Sequence, residues 1–208
     1  MTASDRLWIG GGTDAGKTTV ARILALTHTL ALYECDGANA AHHAQLAERE
    51  EDIAAFLSAT VDERWLKPAP QDLADRSLRS FAARWPMILQ DLKPLARRGR
   101  PVLAEGFDLT PELVAAVEPD LRRAVWLVPS EAFKRRSWEA RRKPGFKDEA
   151  SDPEAAAANL WARDLALTQI IRDQAGRLGG AIIEVDGSKA PDRIAAELTE
   201  RFRPFLRL

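Results

Sequence analysis

The chain has 208 residues, 30 basic against 31 acidic side chains, and 46% hydrophobic residues. This supplies a core for one domain, residues 1–208, and argues against a charge-driven nucleic-acid binder. Cys35 is the single cysteine, and there is neither a leader-like start nor an apolar run of about 20 residues, so a cytoplasmic, disulfide-free protein without a membrane partner is expected.

Short apolar runs alternate with longer amphipathic stretches. Residues 6–10 read as a first strand. Gly11-Gly12-Thr13-Asp14-Ala15-Gly16-Lys17-Thr18 follows and matches the phosphate-loop pattern G-x-x-x-x-G-K-[ST] in full. Glycines let the backbone curl so that successive N–H groups aim at one phosphate, and the helix expected over 17–27 adds the positive end of its dipole. Lys17 supplies a charge for the β- and γ-phosphates. Thr18 offers a hydroxyl to Mg²⁺, and Thr19 belongs to the same nucleotide-binding stretch.

A second strand is expected over 30–35. Glu34 and Asp36 close it, two residues apart and so on one side if the strand continues. Asp36 can take or orient the proton of a substrate hydroxyl. Glu34 can hold a Mg²⁺-bound water or bind substrate. Residues 37–100 show no strand. Helices are expected over 42–57 and 72–95, separated by Lys67-Pro68-Ala69-Pro70, with Pro86 kinking or splitting the second. This helical insert is the expected substrate cover, with a helical hairpin that only packs the sheet as the alternative. His42 and His43 are adjacent on a helix and point apart, which disfavours a metal; His42 is a candidate substrate contact. Trp65 and Trp85 read as core rather than pocket, like Trp8 and Trp126 in the strands.

The third strand, 101–105, ends in Glu105-Gly106-Phe107. An acid there reaches Mg²⁺ directly or through water, and Glu105 and Phe107 are also candidate substrate contacts. Asp108 competes with Glu105. Thr110-Pro111-Glu112 reads as cap, first-turn proline and acid of a helix to about Glu118. After a strand over 124–128, Ser130 caps a helix to about Arg142. It carries Lys134, Arg135, Arg136, Arg141 and Arg142, and Arg163 lies in the next helix, from Asp152 to about Ala175 with Gly176 as its stop. Arg135, Arg142 and Arg163 are the preferred groups for charge spread over transferring oxygens. The last strand, 181–185, leads to Asp186-Gly187-Ser188, where a base can lie against Gly187 and Ser188. A final helix starts near Pro191.

With these residues in this order, nearly the whole chain resembles the small P-loop kinases, which include shikimate, gluconate and nucleoside kinases and chloramphenicol phosphotransferase. The resemblance implies a P-loop α/β/α fold with a five-stranded parallel sheet and the insert between strands two and three. It also implies Mg²⁺-dependent transfer from ATP or GTP to a hydroxyl of a small metabolite or antibiotic, by a monomer or homodimer. Glu34-x-Asp36 is similar to the acid-x-Asp pair of shikimate kinases, which implies a metal-side and a substrate-side role. Residues 142–163 are similar to their closing lid. The chain lacks their Gly-Gly-Gly loop after the third strand. It also lacks the Asn-Lys-x-Asp and Asp-x-x-Gly motifs of signalling GTPases. A nucleoside or nucleotide kinase is the alternative reading, and a non-transferring nucleoside-triphosphatase switch a more distant one.

Overall fold

The structure, a computed structural model, describes residues 6–96, 100–141 and 149–206. Its strands are β1 (Arg6–Gly11), β2 (Ala31–Glu34), β3 (Val102–Glu105), β4 (Ala124–Pro129) and β5 (Ala181–Val185). Its helices are α1 (Lys17–His28), α2 (Cys35–Ala47), α3 (Glu51–Ser58), α4 (Pro70–Ala96), α5 (Pro111–Ala115), α6 (Glu131–Arg141), α7 (Pro153–Leu178) and α8 (Pro191–Phe202). The strands form one parallel sheet in the order β2-β3-β1-β4-β5.

Alternation along the strands divides the core into two layers. Leu7, Ile9, Leu103, Val125 and Leu127 face one layer, against Val20 and Leu24 of α1 and Ile194, Leu198 and Phe202 of α8. Trp8, Val102, Ala104, Trp126 and Val128 face the other. They pack there against Trp85, Ile88 and Leu92 of α4, Val114 of α5 and Ile171 and Ala175 of α7. Strands covered on both faces must be apolar almost throughout, and β3 and β4 are buried along their whole length. The result is a three-layer P-loop α/β fold. From β1 the chain proceeds to β2 and β3 on one side and to β4 and β5 on the other. The crevice at such a reversal, beyond the carboxyl ends of the strands, is where ligands of open α/β sheets bind. Here it lies at the end of β1, where the phosphate-loop motif begins. No helix among the described residues is long and apolar enough to cross a membrane.

The insert departs from expectation in three ways. Its first helix starts at Cys35, directly after β2, and the expected 42–57 helix is two helices, α2 and α3. The break falls in a run of charges, Glu48-Arg49-Glu50-Glu51-Asp52, where Glu50 is extended with φ −118°. Carboxylates concentrated there favour a helix start over a helix middle. A π-helical turn, Asp62–Leu66, was not foreseen. Finally, α4 is a single helix of 27 residues with Pro86 and Pro94 inside it, so Pro86 does not split it. Trp85, Ile88 and Leu92 pin it to the sheet on either side of Pro86, and this packing outweighs the hydrogen bond lost there.

Two helix ends also differ. Thr110 makes no side-chain cap, and α5 stops at Ala115. Beyond Gly176, α7 continues to Leu178 and ends at Gly179, whose φ of 69° suits a left-handed cap. Two expected caps form: Ser130 Oγ accepts from the Phe133 N–H at 3.2 Å, and Asp152 from the Ala155 N–H at 3.0 Å.

Candidate active site

β1 ends in the phosphate loop because its glycines permit the turn. Gly11 has φ +125°, and a Cβ there would meet the Leu127 carbonyl oxygen at 2.0 Å. Gly16 has φ +74° and is the N-cap of α1, which receives no side-chain cap. The first N–H groups of α1 therefore remain for an anion. Asp14 takes φ 62°, a conformation that aspartate tolerates better than most residues. The Lys17 ammonium donates to the Gly12 carbonyl at 2.8 Å. Burial lowers its pKa, against the opposing pull of Glu105, Asp36, Asp14 and Asp108.

Thr18 Oγ1 donates to Glu105 Oε1 at 3.0 Å. Glu105 is buried at the end of β3, and Ile9 of β1 is its partner in the register. Burial pushes its carboxyl above the usual range, while Lys17 and Thr18 pull it down. A hydroxyl and a carboxylate side by side form a small hard-oxygen set. It suits Mg²⁺, which takes one or two protein oxygens and completes its shell with water and phosphate. No group of three or more His, Cys, Asp or Glu among the described residues could hold a metal alone.

Two helices grip the loop from below. Lys134 of α6 is buried, and its ammonium donates to Thr13 Oγ1 at 2.5 Å, Asp164 Oδ2 at 2.9 Å and Asp14 Oδ2 at 3.1 Å. Asp164 of α7 accepts from Thr13 at 2.6 Å and from Arg163 at 2.6 and 3.0 Å. Burial raises the Asp164 pKa, but Arg163, Lys134 and Thr13 outweigh it and hold the carboxyl below its ordinary value.

Beside the loop lies a cavity of about 640 Å³ between the insert and the ends of the strands. Asp36, Asn39 and His43, at i, i+3 and i+7, line it from one face of α2. Arg76, Arg79, Ser80 and Arg84 line it from α4, and Phe56, Trp65, Phe81 and Phe107 give it aromatic surface. Asp36 makes no hydrogen bond or ion pair among the described residues. His43 lies 2.5 Å from Asn39 Oδ1 and 2.8 Å from Ser80 Oγ. An amide oxygen only accepts, so Nδ1 donates and Nε2 accepts from Ser80. Burial, followed by Arg84, lowers the His43 pKa and favours this neutral form. Arg84 is fully buried, ion-paired with Asp108, and donates to the Cys35 carbonyl at 2.9 Å. Burial pushes Asp108 up to about 6 against the pull of Arg84.

The structure brings Lys17, Thr18, Glu105, Asp36, Phe107 and Arg163 together. Phe107 lies 5.7 Å from the Lys17 ammonium, and Arg163 lines the cavity over the Trp65 ring. The expectations for Asp36 as a strand partner of Glu34, and for Glu34, His42, Trp65 and Arg135, are corrected. Asp36 stands in the first turn of α2, so strand alternation does not pair it with Glu34. Glu34 is held by Arg22 at 2.6 Å and lies outside the cavity lining. His42 turns inward to Asp91 at 3.0 Å, and His43 faces the cavity instead. Trp65 lines the cavity rather than the core. Arg135 is exposed and paired with Glu131, whereas Lys134, one residue earlier, reaches the loop. Thr19 is exposed on α1. Gly187 packs against Phe133, and the Asp186 carbonyl accepts from Arg136, so the loop after β5 is tied to α6. Arg142, and the part of the expected lid up to residue 148, lie outside the described residues.

Sequence reasoning missed Asp164, Arg84 and Ser80, and it named Lys134 in the basic cluster but preferred its neighbour Arg135. A lone acid or arginine facing inward on an otherwise apolar helix stripe is the only signal that α7 and α4 offered for the first two.

No protein-family model matches the chain, and no curated protein is significantly similar to it. Among solved structures, it is similar to an unliganded sugar kinase from a Janibacter species, at 17% identity over 96% of this chain and 95% of that one, with a TM-score of 0.44. It is also similar to shikimate kinase from Aquifex aeolicus, at 16% identity over 96% of each chain, with a TM-score of 0.41.

Proposed function

We propose that the chain is a small-molecule kinase that moves the γ-phosphoryl of ATP or GTP to a hydroxyl of a small acceptor. One observation carries this reading. The cavity adjoins the phosphate loop through Phe107, which lines it and lies 5.7 Å from the Lys17 ammonium, and Asp36, unengaged among the described residues, lines the same cavity within electrostatic reach of Lys17. A nucleotide switch needs a loop but no adjoining cavity with a free carboxylate.

In the step, the acceptor oxygen bonds to the γ-phosphorus as the bond to the β–γ bridging oxygen breaks. The hydroxyl proton passes to Asp36, and the nucleoside diphosphate leaves. The N–H groups of residues 12–18 and the Lys17 ammonium stabilise charge on the phosphate oxygens. Thr18 and Glu105 would hold Mg²⁺, which when bound neutralises charge between the β- and γ-phosphates. The Arg163 guanidinium, which lines the cavity, is the proposed cation beside the transferring phosphoryl. Gly187 and Ser188 are the proposed neighbours of the base.

The aromatic surface of Phe56, Trp65, Phe81 and Phe107 favours an acceptor with a ring face, and a nucleoside falls in that class. The test is a panel of hydroxyl compounds, nucleosides included, read by nucleoside-diphosphate release with ATP and with GTP. An acceptor-dependent release, lost in Asp36→Asn while nucleotide affinity is kept, is the expected result. Release independent of every acceptor and unchanged in Asp36→Asn would overturn the reading.

A further inference from the structure

Asp14 is an acid inside a loop whose proposed ligand is a polyanion. It also lies within electrostatic reach of the Lys17 ammonium, so it competes with phosphate for that charge. An uncompensated carboxylate here opposes binding, because charges a few ångström apart interact strongly where water is scarce.

The compensation is built. Lys134 is 1% exposed, and its three N–H bonds go to Thr13, Asp14 and Asp164. Its ammonium also lies 5.4 Å from the Trp161 ring and 5.8 Å from the Trp138 ring. Those two indoles meet edge to face with centroids 5.8 Å apart. A lysine with every donor used and two aromatic faces beside it is held in one place. Asp164 in turn is held by Arg163 from the cavity side. Asp164 and Lys134 could neutralise each other without the loop, yet Lys134 also reaches Thr13 and Asp14, the two loop residues that carry polar side chains before the Lys17-Thr18 pair.

We propose that Lys134 is a positioning residue of the donor site: it neutralises Asp14 and fixes Thr13, so that the loop presents a net positive surface to a nucleotide polyphosphate. Lys134 acts through the loop and is not a contact of the transferring group. This rests on the nucleotide reading above.

The test is titration calorimetry with ATP and Mg²⁺, and with GTP and Mg²⁺, on four proteins: wild type, Lys134→Met, Asp14→Asn and the double variant. Lys134→Met is expected to lose about tenfold or more in affinity, as directly coupled charges do. Asp14→Asn is expected to bind about threefold tighter than wild type, because the loop then gains positive charge. When Asp14→Asn is already present, adding Lys134→Met should cost about threefold or less. That rescue separates charge compensation from mere support of the fold, which would lose the same factor in both backgrounds. Equal losses in the two backgrounds overturn the proposal, as does Asp14→Asn binding that is unchanged or weaker. Should Lys134→Met fail to fold, the Asp14→Asn result alone decides. A wild type that binds neither nucleotide overturns the nucleotide reading itself. A wild type that binds while the charge variants behave additively overturns this proposal alone.

Discussion

Asp164, under the phosphate loop, accepts hydrogen bonds from Thr13, Lys134 and Arg163, whereas Asp36, on the cavity wall, accepts none among the described residues. The difference extends to their surroundings. Around the loop, Thr13, Lys17, Thr18, Lys134 and Glu105 are all engaged with one another or with backbone. Across the cavity, Asp36 and Arg79 are unengaged among the described residues, and Arg76 hydrogen-bonds only the Arg64 carbonyl, at 3.4 Å. A site whose ligand is always the same polyphosphate can be fixed in advance, which lowers the cost of ordering it on binding. A site that must select one acceptor keeps spare donors and acceptors for it.

Four changes would break or sharpen that contrast. The largest effect is expected at Arg84, which belongs to the cavity yet is as tightly held as anything under the loop. Arg84→Met leaves Asp108 buried without its partner and should cost about 3–5 kcal/mol in urea unfolding. Adding Asp108→Leu should return much of that loss. A small effect of Arg84→Met would show that the buried pair is not what joins α4 to the end of β3.

Next, Lys17→Ala should weaken the donor half without disturbing the fold. Acceptor-dependent diphosphate release should fall by about 10²–10³-fold, the scale for removing one donor aimed at developing charge. The unfolding midpoint in the absence of nucleotide should stay close to that of wild type.

Third, Asp164→Asn tests the engaged cluster through pH. The Asp164 carboxyl is held below its unfolded-state value by Arg163, Lys134 and Thr13. Its stabilisation is therefore present above about pH 4, the ordinary aspartate value, and is lost as pH falls through the folded-state value. Urea midpoints of wild type and Asp164→Asn should differ at pH 7, and the gap should narrow as pH falls below about 4. A gap that persists in acid would mean that the carboxylate charge is not what the cluster uses.

The smallest effect is expected for Arg22→Ala. Its ion pair with Glu34 is largely solvent-exposed, where water and salt screen the attraction, so the urea midpoint should stay close to that of wild type. A larger loss would show that Glu34 matters to the end of β2 beyond that contact.

The same contrast explains what the sequence revealed. The loop lies in eight consecutive residues, so backbone chemistry and spacing make it readable, and Glu105 is found by its place at the end of an apolar strand. The inner strands β1, β3 and β4 were readable because burial on both faces demands uninterrupted apolar runs. The cavity was readable only in part, in the insert and in Asp36, Phe107 and Arg163, because it gathers residues from α2, α3, the turn at 62–66, α4, α7 and the end of β3. Which of two neighbours faces inward depends on helix phase, and one residue of error exchanges His42 for His43 or Arg135 for Lys134. The Cys35 helix start shows the same limit: it carries Asp36 off the strand and onto the face that also bears Asn39 and His43.

Pro86 leaves the Ala82 carbonyl without its usual helical partner, and it also divides α4 by task. The stretch up to Arg84 bears Arg76, Arg79, Ser80 and Arg84, which line the cavity; Trp85, beside the proline, and Ile88 and Leu92 beyond it are buried against the sheet. Replacements in the leading half can reshape what the cavity accepts, while the trailing half keeps the helix seated. A lineage descended from this chain could therefore change its acceptor within one stretch of helix and leave the rest of the molecule alone.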